Sequence, residues 1–376
     1  MAAIVHGTCD ARFSRVKEAF AETLAGEHEL GAACSLVVEG RAVVDLWGGH
    51  ADRKRTRPWE RDTLVNVYST TKGLLAMCAH RLVQEGRIDL DAPLSTLWPE
   101  LSTPTTLRWL LSHRSGLPAI RETLPPEALF DFAFMVRALE KEATWWEPGT
   151  AHGYHAMTFG WLVGEIVRRV SGKMPRDYFH GTIAGPLGVE RDVQIGLALA
   201  DEGRAADLRP ARPAPGVRTL FDRIAAEPES MTAKAFVNPI SLVMPDTITS
   251  RAWRDADIPS LNGHATARGI ARIYGALARG GLLAPESIAR CREEQACGPD
   301  LVLGVTTRFG LGFMLPQPHD DFGGAASFGH PGAGGSFGFA DPDAKLGFGY
   351  VMNRMGVEIL VDPRPKALSA AAYASL

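Results

Sequence analysis

The chain is poor in the features that mark several large protein classes. Five cysteines in 376 residues (Cys9, Cys34, Cys78, Cys291, Cys297) are odd in number and scattered, and no Cys-x-x-Cys pair occurs. That pattern excludes a disulfide framework and a cysteine zinc site, and it fits free thiols in a reducing cytoplasm, with Cys78 in the core. No apolar run reaches the ~18 residues that a membrane helix needs. Met1 to Gly7 lacks the basic start and apolar stretch of a signal peptide. Charge is balanced, with 40 Lys and Arg against 43 Asp and Glu. Neither nucleic acid nor an anionic membrane is an expected partner, and the short basic run Arg53-Lys54-Arg55 reads as a solvated loop. Oligomeric state is not encoded in any visible pattern. What remains is an ordinary globular composition, 45% hydrophobic and 22% charged, long enough for two or three domains.

Against that background Ser69-Thr70-Thr71-Lys72 stands out. Residues three apart on a helix face the same way, so a hydroxyl and an amine share one side of a first turn. The same spacing occurs at Ser14-Arg15-Val16-Lys17. There Phe13, Val16, Phe20 and Leu24 recur at helical spacing, which puts Ser14 and Lys17 on the wet side of an amphipathic helix. After Ser69, by contrast, Gly73 to Val83 is apolar nearly all round, the pattern of a buried helix, and Gly86 stops it. A serine at that start can simply cap the helix, but capping gives no reason for Lys72. The free N–H groups of a helix start favour a developing oxyanion.

Two further segments carry candidate chemistry. Tyr154 lies in a glycine-flanked loop, Glu147-Pro148-Gly149-Thr150-Ala151-His152-Gly153-Tyr154, just before an apolar helix. A buried tyrosine beside an ammonium can have its pKa of about 10 lowered and act as a base; as a lone residue it also fits a core position. Gly329-His330-Pro331-Gly332-Ala333-Gly334-Gly335-Ser336-Phe337-Gly338 sits at a strand start, and its small residues allow close approach to the backbone, by a substrate or within a tight turn. Gly334-Gly335-Ser336-Phe337-Gly338 also matches the G-x-S-x-G elbow, but that fold requires a helix after the serine and a histidine downstream. Strand-like residues follow instead and no histidine occurs after His330, so Ser336 reads as sheet packing. His152 and His155 have no third partner nearby and read as polar loop residues rather than metal ligands. Trp47, closing the first hairpin, reads as core or as a pocket wall.

Strand patterns occupy Ala32–Val38 and Ala42–Trp47 around a turn at Glu39-Gly40-Arg41, then Ser327–His330, Gly335–Ala340 and Leu346–Asn353. Thr63 to Tyr68 looks extended. Asp10 is placed to cap a first helix reaching Leu24. Helices are predicted near 71–85, 127–140, 158–170, 175–184 and 266–279, and a closing one over Pro365–Ala374. Strands at both ends with helices between predict an α+β chain: an antiparallel sheet from both termini (1–66 and 260–376), flanked by helices, with an inserted helical domain (67–259) and a site in the cleft between. The proline-bearing stretch Ala200 to Arg218 reads as a surface loop that can serve as a lid or as a connector.

These motifs together resemble the class C β-lactamase and penicillin-binding-protein superfamily, and most closely its esterase branch, the family VIII carboxylesterases. Ser69-x-x-Lys72 matches the nucleophile motif. Pro148-Gly149, four residues, then Tyr154 matches the tyrosine motif. His330-Pro331-Gly332 stands at the third motif, and Leu110-Leu111-Ser112-His113-Arg114-Ser115-Gly116-Leu117-Pro118 resembles a further family stretch. The resemblance implies a β-lactamase/transpeptidase-like fold and a serine hydrolase acting on small-molecule esters without metal or organic cofactor. Ser69 would be the nucleophile and Lys72 with Tyr154 a coupled base. The backbone amides of Ser69 and Ala333 would form the oxyanion hole, and His330, Gly332 and Gly334 would contact substrate. Family members often have Tyr-x-Asn and Lys-Thr-Gly; here Ala156 lacks the amide, Pro331 the hydroxyl, and His330 a permanent charge, being about a quarter charged at pH 7 with its ordinary pKa near 6.5. Those departures disfavour a lactam carboxylate and favour short neutral esters. A β-lactamase, a D-amino-acid peptidase or amidase, and a slow-turnover penicillin-binding or assembly protein are the alternatives within the resemblance.

Overall fold

The computed structural model describes residues 4–26, 29–211, 213–244, 246–318, 321–358 and 360–376. Eleven strands occur in it: β1 (Val5–Cys9), β2 (Gly31–Val38), β3 (Arg41–Gly49), β4 (Val65–Asn66), β5 (Val193–Ile195), β6 (Gly263–Ala265), β7 (Ala296–Pro299), β8 (Thr306–Phe309), β9 (Phe328–Pro331), β10 (Phe337–Asp341) and β11 (Leu346–Met352). Six form an antiparallel sheet in the order β1-β3-β2-β11-β10-β9, so strands from both ends of the chain meet where β2 pairs β11. Glu39 and Gly40, both at positive φ (51° and 83°), turn β2 into β3, the left-handed pair that suits the strands' twist.

Side chains alternate across each strand, and both faces of the sheet are covered. Five helices matter for the site: α1 (Ser14–Ala25), α2 (Thr70–Gln84), α3 (Thr158–Ser171), α4 (Ala267–Ala278) and α5 (Pro363–Tyr373). Helix α4 lies on the face where β11 presents glycine. A Cβ on Gly347 would stand 2.1 Å from the Gly275 amide nitrogen, so only glycine lets the helix come this close. Phe337, Phe339 and Phe348 cluster with Phe322 nearby. Helices α1 and α5 pack on each other beside the β1–β3–β2 end. Helix α2, buried along nearly its whole length, runs between the sheet and α3. The region from 67 to 259 is mainly helical, with β5 its one strand among the described residues.

Several local expectations shift. Asp10 does not cap α1: its side chain pairs with Arg41 at 2.8 Å, and a 3-10 turn (Ala11–Phe13) leads into the helix. The stretch expected as one helix over 127–140 is a 3-10 turn (Pro126–Phe130) and a helix (Phe132–Glu140), separated at Asp131, whose carboxylate caps the second by accepting from the Phe134 amide at 2.9 Å. Past Phe179 the helix of 175–184 widens into a π turn over His180–Ala184. Within the Thr63–Tyr68 stretch Val65–Asn66 forms a strand and Leu64 a single bridge to Ala205, and the chain then turns at Tyr68 (φ 42°) to enter α2. The 200–218 segment is no free lid. Leu199–Arg204 forms a 3-10 helix, and the Ala206 and Arg209 amides donate to the Leu64 and Asn353 carbonyls, both at 2.7 Å. Trp47 is only partly buried and stacks on His6 at the β1–β3 edge, so it is neither deep core nor pocket wall.

Candidate active site

Ser69 is the N-cap of α2 and is 9% exposed, whereas Lys72 one turn on is fully buried. Tyr68, just before, takes a left-handed backbone that bulky residues rarely adopt. That turn lifts Ser69 off β4 onto the helix start. Ser336 secures it from below: its hydroxyl donates to the Val67 carbonyl at 2.8 Å and contacts the Thr70 hydroxyl at 3.1 Å. Ser336 is thus a strut between β10 and α2.

Lys72 Nζ has three partners: Ser69 Oγ at 3.0 Å, the Ala156 carbonyl at 2.7 Å and the Ser260 carbonyl at 3.2 Å. No carboxylate is among them. Burial pushes the amine well below its usual pKa. A neutral amine has two hydrogens and one lone pair. Carbonyls can only accept, so in the neutral form the hydrogens go to Ala156 and Ser260 and leave the lone pair for the Ser69 hydroxyl. Tyr154 sits opposite, its ring centroid 4.9 Å from Lys72 Nζ and its hydroxyl on the Ser69 side. The expected lowering of Tyr154 is reversed: burial pushes the phenol up, only partly offset by Ser69. The Asp300 carboxylate adds to the rise. The two groups that the sequence left as interchangeable are therefore pushed in opposite directions, the amine down and the phenol up.

A buried carboxylate holds Tyr154 in place. Asp300 Oδ1 accepts from the Tyr154 amide at 3.0 Å and from the Val302 and Leu303 amides at 2.9 and 2.8 Å, while Oδ2 takes the Thr307 hydroxyl at 3.1 Å. His152 completes this cluster through Thr307 at 2.9 Å, and His155 contacts Ser115 at 2.8 Å. Both histidines are polar scaffold. Among the described residues no group of three metal-ligating side chains occurs. Ser112 bonds back to Arg108 O, but His113, adjacent in sequence, packs its ring 5.1 Å from that of Tyr154.

The third motif also needs revision. His330 is 1% exposed and its pKa is pushed down to about 3, chiefly by burial. It is neutral at pH 7, not a quarter charged. Its Nδ1 hydrogen bonds to the Pro331 carbonyl at 2.7 Å, and its ring lies 6.0 Å from that of Tyr154. At the two glycines expected to touch substrate, the side where a Cβ would stand is occupied by protein. A Cβ on Gly332 would stand 2.1 Å from the Val67 carbonyl, and one on Gly334 would stand 2.5 Å from Met355 Cγ. Their role is to bring the β9–β10 turn against the start of α2. Ala333, between them, is exposed. Neither its amide nor that of Ser69 has a hydrogen-bond partner among the described residues.

The turn is anchored from behind. Arg364, at the start of α5, donates to the Gly334 carbonyl at 2.7 Å, to both Asp362 oxygens at 2.8 and 2.9 Å, and to buried Glu29 at 2.9 Å. Asp300, Ser260 and Arg364 were not found from sequence. Ser260 acts through its carbonyl, which any residue supplies, and Asp300 and Arg364 sit in segments with no motif. His113 lies within the stretch that resembles the family, without a role of its own there.

Comparison with known proteins agrees with this geometry. The Beta-lactamase family profile matches residues 16–372. The chain is 34% identical over 373 residues to "Esterase/beta-lactamase LipL" of Mycobacterium tuberculosis (strain ATCC 25618 / H37Rv), covering 93% of this chain and 83% of the relative. A crystal structure of a family VIII carboxylesterase superposes with a TM-score of 0.87 at 38% identity, over 99% of this chain and 100% of that one. A penicillin-binding protein homologue from Caulobacter crescentus gives a TM-score of 0.90 at 39% identity, again over 99% and 100%. With a buried Ser-x-x-Lys pair at a helix start and a matching profile over nearly its whole length, the chain belongs to the Beta-lactamase family and is a serine hydrolase.

Proposed function

We propose that the protein is a carboxylesterase that hydrolyses small carboxylic esters through an acyl-enzyme on Ser69. The observation that carries this reading is the surround of Lys72: two carbonyls and the Ser69 hydroxyl, with no carboxylate to keep the amine charged. Ser69 Oγ attacks the ester carbonyl carbon while its proton passes to Lys72 Nζ. The oxyanion is held by the amides of Ser69 and Ala333. As the C–O bond breaks, the Tyr154 hydroxyl protonates the leaving alkoxide, and the Lys72 ammonium restores the phenol proton. Water then attacks the acyl-enzyme, its proton following the reverse relay, and Ser69 leaves as the alcohol.

Three substitutions favour esters over lactams. Ala156 offers no amide, Pro331 no hydroxyl, and His330 is buried and neutral, so a lactam carboxylate finds no cation in the third motif. The names of the esterase relatives support the same choice. The five cysteines are unpaired, which supports a reducing, cytoplasmic setting; no described helix is long and apolar enough to cross a membrane. The test is kcat/KM on purified protein for p-nitrophenyl acetate and butyrate against nitrocefin and a penicillin. The esters are expected to lead by at least about tenfold, which needs only ~1.4 kcal/mol of transition-state binding. A preference for the lactam overturns the esterase reading and installs a β-lactamase in its place.

A further inference from the structure

We propose that the two-stranded β7–β8 ribbon is the seat of the proton donor, and that Asp300 at its turn is the positioning residue that sets where the Tyr154 hydroxyl meets the departing alcohol. The inference rests on the esterase reading and adds to it the residue on which transfer of the leaving-group proton depends.

Tyr154 lies in irregular backbone just ahead of α3, so its place is set by the segments on either side of it. They hold alternate residues. The Gly153 amide donates to the His113 carbonyl at 3.1 Å, and the His155 amide to His113 Nδ1 at 3.2 Å. From the other side the Leu301 amide donates to the His152 carbonyl at 3.1 Å, and the Tyr154 amide donates to Asp300 Oδ1 at 3.0 Å. The bond at Tyr154 itself thus goes to the ribbon. The ribbon also steadies the ring: Phe309, the last residue of β8, lies within 5° of parallel to Tyr154, with centroids 6.3 Å apart. Phe309, Val302 and Leu303 share one apolar cluster with Tyr154.

A two-stranded hairpin by itself is marginal in water, and β7 and β8 form a sheet of two. Their turn is built on Asp300. The Asp300 amide donates to the Val305 carbonyl and the Gly304 amide to the Asp300 carbonyl, both at 2.9 Å. Oδ1 gathers the Val302, Leu303 and Tyr154 amides, so the turn and the tyrosine loop share one acceptor. Oδ2 takes the only hydrogen of the Thr307 hydroxyl, so His152 Nε2 donates to the Thr307 oxygen at 2.9 Å. From outside, Arg223 and Thr232 donate to the Val302 carbonyl at 2.6 and 2.7 Å. Asp300 is 2% exposed, so a side chain without oxygens here would leave three amides unpaired. A shift of the turn moves the Tyr154 backbone with it, and a misplacement of about 1 Å can cost on the order of a hundredfold in rate.

The experiment compares ethyl acetate, followed by acid release, with p-nitrophenyl acetate on the full chain. Both give the same acetyl-enzyme, so a difference in kcat/KM reports acylation. Ethoxide must take a proton as the C–O bond breaks, whereas p-nitrophenolate is stable in neutral water and departs without one. In Asp300→Ala the ethyl-to-aryl ratio of kcat/KM should fall at least about tenfold, a fraction of what a general acid contributes. Asp300→Asn keeps an oxygen for the three amides and turns its NH₂ to the Thr307 oxygen, so its ratio should stay within about threefold of the wild type. A ratio as low in Asp300→Asn as in Asp300→Ala would trace the effect to charge and overturn the positioning role. Phe309→Leu, which removes the parallel ring, should lower the ratio about threefold or more, and it decides the matter if Asp300→Ala does not fold. Folded variants that lose activity on both esters equally, or keep the wild-type ratio, overturn the inference and leave the esterase reading standing. A wild type that cleaves the aryl ester alone overturns it too. A wild type that cleaves neither overturns the esterase reading and this inference together.

Discussion

Two stretches of this chain carry a serine and a lysine three residues apart at the start of a helix, and they differ in almost everything else. Ser14 and Lys17 lie on the outer side of α1, both exposed, while Val16 and Phe20 face inward. Ser69 and Lys72 lie at the start of α2, which has no wet side: Thr70 through His80 are all buried. The first amine stands in open solvent. Protein strips water from the second and replaces it with two carbonyls and a hydroxyl. The spacing brings the groups together, and dehydration suits one of them to the base role proposed above.

The sharpest break in that comparison is removal of the hydroxyls. Ser69→Ala should abolish ester hydrolysis, while Ser14→Ala and Ser336→Ala leave the chemistry intact. Intact-mass spectrometry with a fluorophosphonate should show one adduct, on Ser69. An adduct on Ser14 or Ser336 would sink the assignment of the nucleophile. Next in size, Lys72→Ala and Tyr154→Phe should each lower kcat by at least about a hundredfold, the low end for a lost general base, against no more than about twofold for Lys17→Ala. The double variant should lose far less than the product of its two single losses, because both act on one proton path. Strict multiplicativity in steady-state rates would argue for independent roles.

A pH profile sharpens the electrostatic half of the contrast. The active form needs Lys72 neutral, and burial lowers its pKa. Activity should therefore rise with pH and level off well below the ordinary lysine value of about 10.4. His330, at about 3, should add no limb between pH 5 and 9. A kcat/KM profile still climbing past pH 10 would contradict a dehydrated base. The smallest effect concerns stability. The folded state keeps Lys72 neutral where the unfolded chain holds it charged, so the unfolded state binds more protons. Between the lowered value and the ordinary one, this group's penalty on folding shrinks as pH rises. Lys72→Met should raise Tm at pH 7 by about 2 °C or more, and by less at pH 9; Lys17→Met should do neither. An equal gain at both pH values would trace the effect to packing rather than charge.

Much of the site was legible because local chemistry writes itself into short patterns. The apolar run after Ser69 separated it from Ser14, and the glycine-flanked Tyr154 and the 329–338 turn fell where the geometry needs them. What escaped depends on long-range contact. Asp300 reaches Tyr154 across 146 positions, Ser260 reaches Lys72 across 188, and Arg364 reaches Glu29 across 335. No local period records such pairings. The states of His330 and Tyr154 were misjudged for a related reason: an ordinary pKa is a property of water, and burial at both positions removes it. In the fold, the hairpin and the long helices followed from pattern, whereas the short strands β4, β5 and β6 exist only because distant segments pair.

The clamp on the glycine turn sets an order of events in the life of the chain. Glu29 lies near one end of the sequence, Gly334 and Arg364 near the other, and Ser69 far upstream of both. During synthesis the nucleophile leaves the ribosome long before the segment that fixes the opposing amide. A nascent chain can hold Ser69 and Lys72 on a formed helix and still lack an ordered cradle for the oxyanion. On the proposed mechanism, catalytic competence therefore arrives late in synthesis, and a chain cut short before Arg364 carries Ser69 without the support of the glycine turn.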